Sequence, residues 1–101
     1  MRSLRVGLAG LGTVGQSLVR LLRENQIEIE RNAGMRIEIV RVVSRTPKPE
    51  VDIGDATFST DTNSLLSEDV DVVVELIGGT ETAWDIAKRV LATHKPFVTA
   101  N

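Results

Sequence analysis

The chain has 101 residues, 12 basic and 14 acidic side chains, a formal charge of −2 and no cysteine. That length suits one domain with a single core, and the near-neutral balance provides no general attraction to nucleic acid or anionic lipid. A hydrophobic fraction of 42% and a charged fraction of 26% exclude a disordered chain or a coiled coil, and the absence of cysteine excludes disulfides and thiolate metal sites.

Leu4 to Gly10, LRVGLAG, is a short, mostly apolar run ending in glycine. It is too short for a helix and suits a strand covered on both faces. From Thr13 the period changes, with Val14, Leu18, Leu21 and Leu22 at helical spacing, and Gly34 is the C-terminal cap expected for that helix. Met35 to Val43, rich in β-branched residues, reads as a second strand. Ser44 to Thr62 holds Pro47, Pro49 and Gly54 and reads as a connection, with Ala56-Thr57-Phe58 at most a short edge strand.

Thr62 or Asn63 is placed to cap a brief helix through Leu65 and Leu66. Val70 to Ile77, VDVVVELI, is the most strand-like stretch of the chain, and a central strand is expected there. Gly78-Gly79 then turns the chain, Thr80 is an N-cap, and Ala83, Ile86, Ala87, Val90 and Leu91 form one apolar stripe. Pro96 stops that helix and Phe97-Val98-Thr99 begins a last strand. Strands alternating with crossover helices imply a parallel sheet, doubly wound and right-handed.

No apolar run approaches the roughly 18 residues of a membrane span. Met1-Arg2-Ser3 leads into Leu4-Arg5-Val6 without a signal-peptide core, so a cytoplasmic protein is expected, with neither membrane nor nucleic acid as partner.

Gly10-Leu11-Gly12-Thr13-Val14-Gly15 matches G-x-G-x-x-G and sits between the first strand and the first helix, where a dinucleotide fingerprint has to be. Gly10 permits the tight turn, Gly12 lets backbone approach a pyrophosphate, and Gly15 lets helix and strand pack closely. Free N–H groups around Gly12, Thr13 and Val14 then face an anion, aided by the helix dipole. The alternative is a glycine-rich turn without ligand. A nucleoside triphosphate loop is disfavoured, because Gln16-Ser17 follows Gly15 where Lys and Ser or Thr are needed.

NAD-selective domains carry an acid at the end of the second strand, where it binds the ribose 2′-hydroxyl. Here that position falls at Ser44-Arg45, with no acid until Glu50. Arg45, with Lys48 nearby, suits the 2′-phosphate of NADP, so NADP is the preferred cofactor and NAD the second possibility. The alternative is a solvated pair of loop cations.

Val6 to Gly15, Asp71 to Thr80 (DVVVELIGGT) and Val98-Thr99-Ala100-Asn101 resemble the amino-terminal cofactor-binding domain of homoserine dehydrogenase, over essentially the whole chain. The resemblance implies a Rossmann-like α/β domain, residues 1–101, incomplete and lacking the catalytic and substrate regions. It implies an enzyme that interconverts aspartate 4-semialdehyde and L-homoserine with NAD(P)H, in threonine and methionine biosynthesis, as a homodimer or higher homo-oligomer. By resemblance Leu11, Gly12, Thr13 and Val14 contact the pyrophosphate and Arg45 the adenosine ribose or its phosphate. Gly79 and Thr80 then lie near the nicotinamide half, Gly78 is a further cofactor-binding residue, and Thr99 and Asn101 point into the same crevice. The family has a lysine directly after Thr-Ala-Asn, whereas this sequence stops at Asn101, so the chain alone is expected to bind cofactor without catalysing.

Other residues carry less. Glu75 inside an apolar strand is either functional or a buried hydrogen-bonded acid. His94 suits a helix C-terminus, Trp84 suits packing or surface coverage, and Arg20, Arg23, Arg31, Arg36 and Arg41 among Glu24, Glu28, Glu30 and Glu38 read as a mixed-charge surface. Two other functions share this pattern: another amino-acid or dihydrodipicolinate-type reductase, and a nucleotide-sensing domain without catalysis.

Overall fold

In the computed structural model, which describes residues 2–77 and 81–100, five strands form one sheet in the order β3-β2-β1-β4-β5. They are β1 (Ser3–Ala9), β2 (Arg36–Val43), β3 (Thr57–Ser59), β4 (Val72–Glu75) and β5 (Phe97–Thr99). Every pairing is parallel. The chain winds outward through β2 and β3, then returns to β4 beside β1, so the order reverses between β1 and β4. This is the Rossmann-like α/β arrangement expected from the alternation of elements. The expected central strand takes an interior position as β4, but the middle of the sheet is β1.

The helices are α1 (Thr13–Glu24), α2 (Gln26–Ala33) and α3 (Glu81–Ala92). On one face Val19 of α1 packs with Leu8, Leu11 and Val42. On the other, Ile86 and Val90 of α3 pack with Ala9, Val43, Leu65, Val70 and Val73. Both faces of the middle strands are thus covered, which is why these strands read as apolar runs instead of alternating ones.

Four expectations are corrected. The single helix from Thr13 to Gly34 is two helices, because Asn25 leaves helical geometry (φ −115°, ψ 21°). Both its backbone N–H and its side-chain amide donate to the Leu21 carbonyl, at 3.0 Å each, the local competition by which asparagine interrupts helices. Gly34 does cap the second of them, at φ 71°. The buried face of α1 is also rotated: Gly15 and Val19 are buried, whereas Val14 and Leu21 are more than half exposed. Gly15 must face the strand it approaches, and that fixes the helix phase.

The brief helix is a 3₁₀ turn, Thr62–Leu66, capped by Asp61 in place of Thr62 or Asn63; the Asp61 carboxylate accepts the Asn63 N–H at 2.9 Å. Arg89 of α3 engages both displaced candidates, donating to the Thr62 hydroxyl at 2.6 Å and to the Asn63 side-chain oxygen. Finally, Leu91 leaves the α3 stripe and is exposed. Trp84 is exposed too, with the Lys88 ammonium 5.8 Å from its ring centre. His94 follows the last turn at φ 64°.

The short edge strand falls at Thr57–Ser59 beside β2, and the last strand is Phe97–Thr99 as read from sequence. The β1–β2 pairing slips by one residue: Val6 opposes Ile39 and Gly7 opposes Arg41, leaving Val40 as a bulge. The turn expected at Gly78-Gly79 and the cap at Thr80 lie outside the described residues.

Candidate cofactor site

The glycine loop is built by two close approaches. Gly10 has φ 108°, and a Cβ there would stand 2.9 Å from the Ile77 nitrogen; a Cβ on Gly15 would stand 2.2 Å from the Gly10 carbonyl oxygen. Neither position admits a side chain, so β1 turns into α1 with helix and strand in direct backbone contact. The Gly10 N–H donates to the Val43 carbonyl at 2.8 Å, tying the loop to the end of β2.

Gly12 differs, because a Cβ added there meets nothing within 4 Å. It forms the N-cap of α1 without any side-chain cap, and the first turn of α1 carries no acid. The N–H groups of that turn have no intrahelical acceptor and the helix dipole is positive there. The open space over Gly12 and this uncompensated end are what a bound pyrophosphate requires.

A cleft of about 710 Å³ opens beside this loop at the carboxyl ends of the strands. Gly10, Leu11 and Gly12 line its base, Val43, Ser44 and Arg45 one side, and Ile77, Glu81 and Thr82 another; Thr60 and Thr62 complete it. The cleft therefore spans the point where strand order reverses, the usual ligand position in such sheets.

Of the residues singled out from sequence, Gly10, Leu11, Gly12 and Arg45 line this cleft among the described residues. Thr13, Val14 and Gly15 form the first turn of α1 behind it. Lys48 does not line the cleft. Its ammonium donates to the Leu11 carbonyl at 3.1 Å, and the Gln16 amide donates to the same oxygen at 3.0 Å. Thr99 donates its hydroxyl to Glu75 at 2.6 Å. Gly78, Gly79, Thr80 and Asn101 lie outside the described residues. Thr60, Thr62, Glu81 and Thr82 also line the cleft and were not singled out as site residues. The sheet order would have suggested the first two, since β3 adjoins β2 and its end must open on the same crevice.

Glu75 is fully buried at the end of β4 and accepts the Ile77 N–H at 2.6 Å as well as the Thr99 hydroxyl. The carboxyl groups held below their ordinary range stand away from the cleft. The Arg5 guanidinium, and then the Arg5 N–H, lower Asp71. Arg36 and then Gln26 lower Glu30, and the Gly54 N–H followed by Arg23 lowers Asp52. Among the described residues no cluster of three or more His, Asp or Glu could hold a metal ion, and no helix is long and apolar enough to cross a membrane.

Residues 10–101 match the family model described as homoserine dehydrogenase, NAD binding domain. The chain is 43% identical over 101 residues to the homoserine dehydrogenase of Helicobacter pylori, covering 99% of this chain and 24% of that protein. It is 38% identical over 102 residues to that of Pseudomonas aeruginosa, covering 100% of this chain and 24% of the relative. The crystal structure of a homoserine dehydrogenase from Thiobacillus denitrificans superimposes with a TM-score of 0.91 at 41% identity, over 100% of this chain and 24% of that one. The S. aureus enzyme at pH 8.5 gives 0.88 at 32% identity, over 100% and 26%. The chain thus spans about a quarter of the length of the relatives it matches. With its glycine loop, parallel sheet and family match in agreement, the chain belongs to the NAD-binding domain family of homoserine dehydrogenase.

Proposed function

We propose that the chain is the cofactor-binding domain of a homoserine dehydrogenase, and that its cleft takes NADP in preference to NAD. The whole enzyme would interconvert aspartate 4-semialdehyde and L-homoserine in threonine and methionine biosynthesis. The observation that carries this reading is the open, uncapped start of α1 at Gly12, facing the same cleft as Arg45.

The residues fit a dinucleotide. Gly12 and the first turn of α1 would hold the pyrophosphate, Ser44 and Arg45 the adenosine ribose, and the segments after β4 and β5 the nicotinamide half. Bound there, the cofactor supplies or accepts the hydride. A guanidinium at the ribose favours a 2′-phosphate, since charge-assisted hydrogen bonds are roughly twice as strong as neutral ones. Lys48 contributes indirectly, by holding Leu11. A domain of this kind binds and orients the cofactor, while hydride transfer also needs an aldehyde held against it in a water-poor site. Since the chain spans about a quarter of its relatives, that task is assigned to the rest of the enzyme. A homodimeric or larger assembly rests on family resemblance.

Calorimetric titration with NADPH and NADH tests the reading. The wild-type chain is expected to bind NADPH more tightly, and Arg45→Ala to lose about tenfold or more for NADPH with little change for NADH. Absence of binding by either nucleotide would refute the assignment. Equal NADPH affinity of Arg45→Ala and wild type would refute the preference for NADP.

A further inference from the structure

Glu75 is the one charged or polar residue among those described that is fully buried, at 0% exposure. Burying a carboxyl group is costly unless its oxygens are hydrogen-bonded, and an apolar residue would fill the end of an apolar strand more easily. What distinguishes Glu75 is where its two oxygens reach. One accepts the backbone N–H of Ile77, on the segment leaving β4, at 2.6 Å; the other accepts the hydroxyl of Thr99, which ends β5, at 2.6 Å.

The backbone around it has the same reach. Glu75 is paired with Ala9 at the exit of β1 and with Thr99 on its other side. Its carbonyl accepts the Ala100 N–H at 3.2 Å. Ile77 in turn lines the cleft and lies against Gly10. One carboxylate therefore joins two chain segments that leave adjacent strands at the cleft. Only an acid offers two acceptor oxygens for two donors in this way.

In a doubly wound sheet the end of β2 takes the adenosine ribose, and a dinucleotide crosses the reversal point to the ends of β4 and β5. We propose that Glu75 is a positioning residue for the nicotinamide half of the cofactor, splinting the segments after β4 and β5 at the spacing which that half requires. This rests on the cofactor reading above and adds a role for a residue that does not itself line the cleft. The exposed partner, Thr99, can be altered with little risk to the fold, whereas Glu75 cannot.

The test compares two ligands on the 101-residue chain: NADH, and ADP-ribose, which lacks only the nicotinamide. Thr99→Val removes the hydroxyl and is expected to weaken NADH about fivefold, the scale of one hydrogen bond, while leaving ADP-ribose within about twofold. Thr99→Ser keeps the hydroxyl and should return NADH to the wild-type value. Glu75→Met offers no acceptor oxygen to either donor and should show the same selective loss. Reduced-nicotinamide fluorescence in the saturated complexes should fall for Thr99→Val and Glu75→Met as the ring becomes less fixed. Equal losses for NADH and ADP-ribose, or unchanged NADH affinity in Thr99→Val, would overturn the positioning role and leave the cofactor reading standing. A wild-type chain that takes up neither NADH nor NADPH would overturn both.

Discussion

Lys48 and Leu11 are 37 positions apart in sequence, yet the Lys48 ammonium donates to the Leu11 carbonyl at 3.1 Å. That oxygen also receives the Gln16 amide, so the first residue after the Gly10 turn is held from two sides. Lys48→Met removes one of the two donors and keeps the aliphatic stem. It should weaken NADH and NADPH alike, by about three- to tenfold, unlike Arg45→Ala, whose expected loss is confined to NADPH. Paired titrations decide between them. A loss confined to NADPH would return Lys48 to the role of a phosphate ligand.

The glycines of the loop should fail in different ways. Gly15→Ala places a methyl 2.2 Å from the Gly10 oxygen, and since backbone on both sides must move, a destabilisation of about 3 kcal/mol or more is expected. Gly12→Ala meets nothing within 4 Å and its backbone (φ −79°, ψ −159°) suits any residue. This variant should unfold in urea close to wild type yet lose more than about tenfold in dinucleotide affinity, because the methyl occupies the pyrophosphate's approach. Urea midpoints with calorimetry separate the two effects.

Acid should loosen the domain at the end opposite the cleft. Asp71 accepts the Arg5 N–H at 2.8 Å and the Arg5 guanidinium at 3.2 Å, and its pKa is lowered chiefly by that guanidinium. A depressed carboxyl pKa contributes stability that is present above the unfolded value and is lost as pH falls through the folded one. Asp71, Glu30 and Asp52 all shift this way. Melting temperature should therefore fall below about pH 4. Asp71→Asn should lower it at pH 7 and flatten the acid decline, while nucleotide affinity at pH 7 stays unchanged. Thermal melts across pH 2 to 7 check the slope.

Arg89 offers a further handle on the cleft. It donates to Thr62 and Asn63, and Thr62 lines the cleft beside Thr60. Arg89→Met should free the 3₁₀ turn, weakening the adenosine end of the ligand. The expected result is a loss of about threefold or more for ADP-ribose and NADH equally, measured by the same titrations.

What the sequence made legible was local and periodic. The glycine spacing, the apolar run before it and the alternation of strands with helices led to β1, α1 and the parallel order. Gly34 marked the end of α2 because few other residues take φ 71° comfortably. The missed features depend on partners distant in sequence or on one residue's choice. Asn25 is compatible with a helix until its side chain turns back to Leu21. Lys48 looks like a phosphate ligand until the loop folds over and Leu11 presents its carbonyl. Glu75 looked anomalous in an apolar strand, but only the pairing of β4 with β5 brings Thr99 to it.

The extra residue at Val40 has a consequence for the cofactor's adenosine end. Simple alternation from Ile37 and Ile39 would continue to Arg41 and Val43, yet Val42 joins the cluster of Leu8 and Val19 while Val43 joins that of Val73 and Val90. The bulge resets the phase of β2 four residues before Ser44, so it decides to which side the strand delivers Ser44 and Arg45. Deleting Val40 would remove the bulge and leave Val42 and Val43 on their present faces, whereas a β2 that kept all eight residues in strict alternation would exchange those faces and turn Arg45 to the other side of the strand. The side on which Arg45 emerges is thus a matter of parity as well as identity, because the bulge absorbs the one residue that would otherwise turn it over.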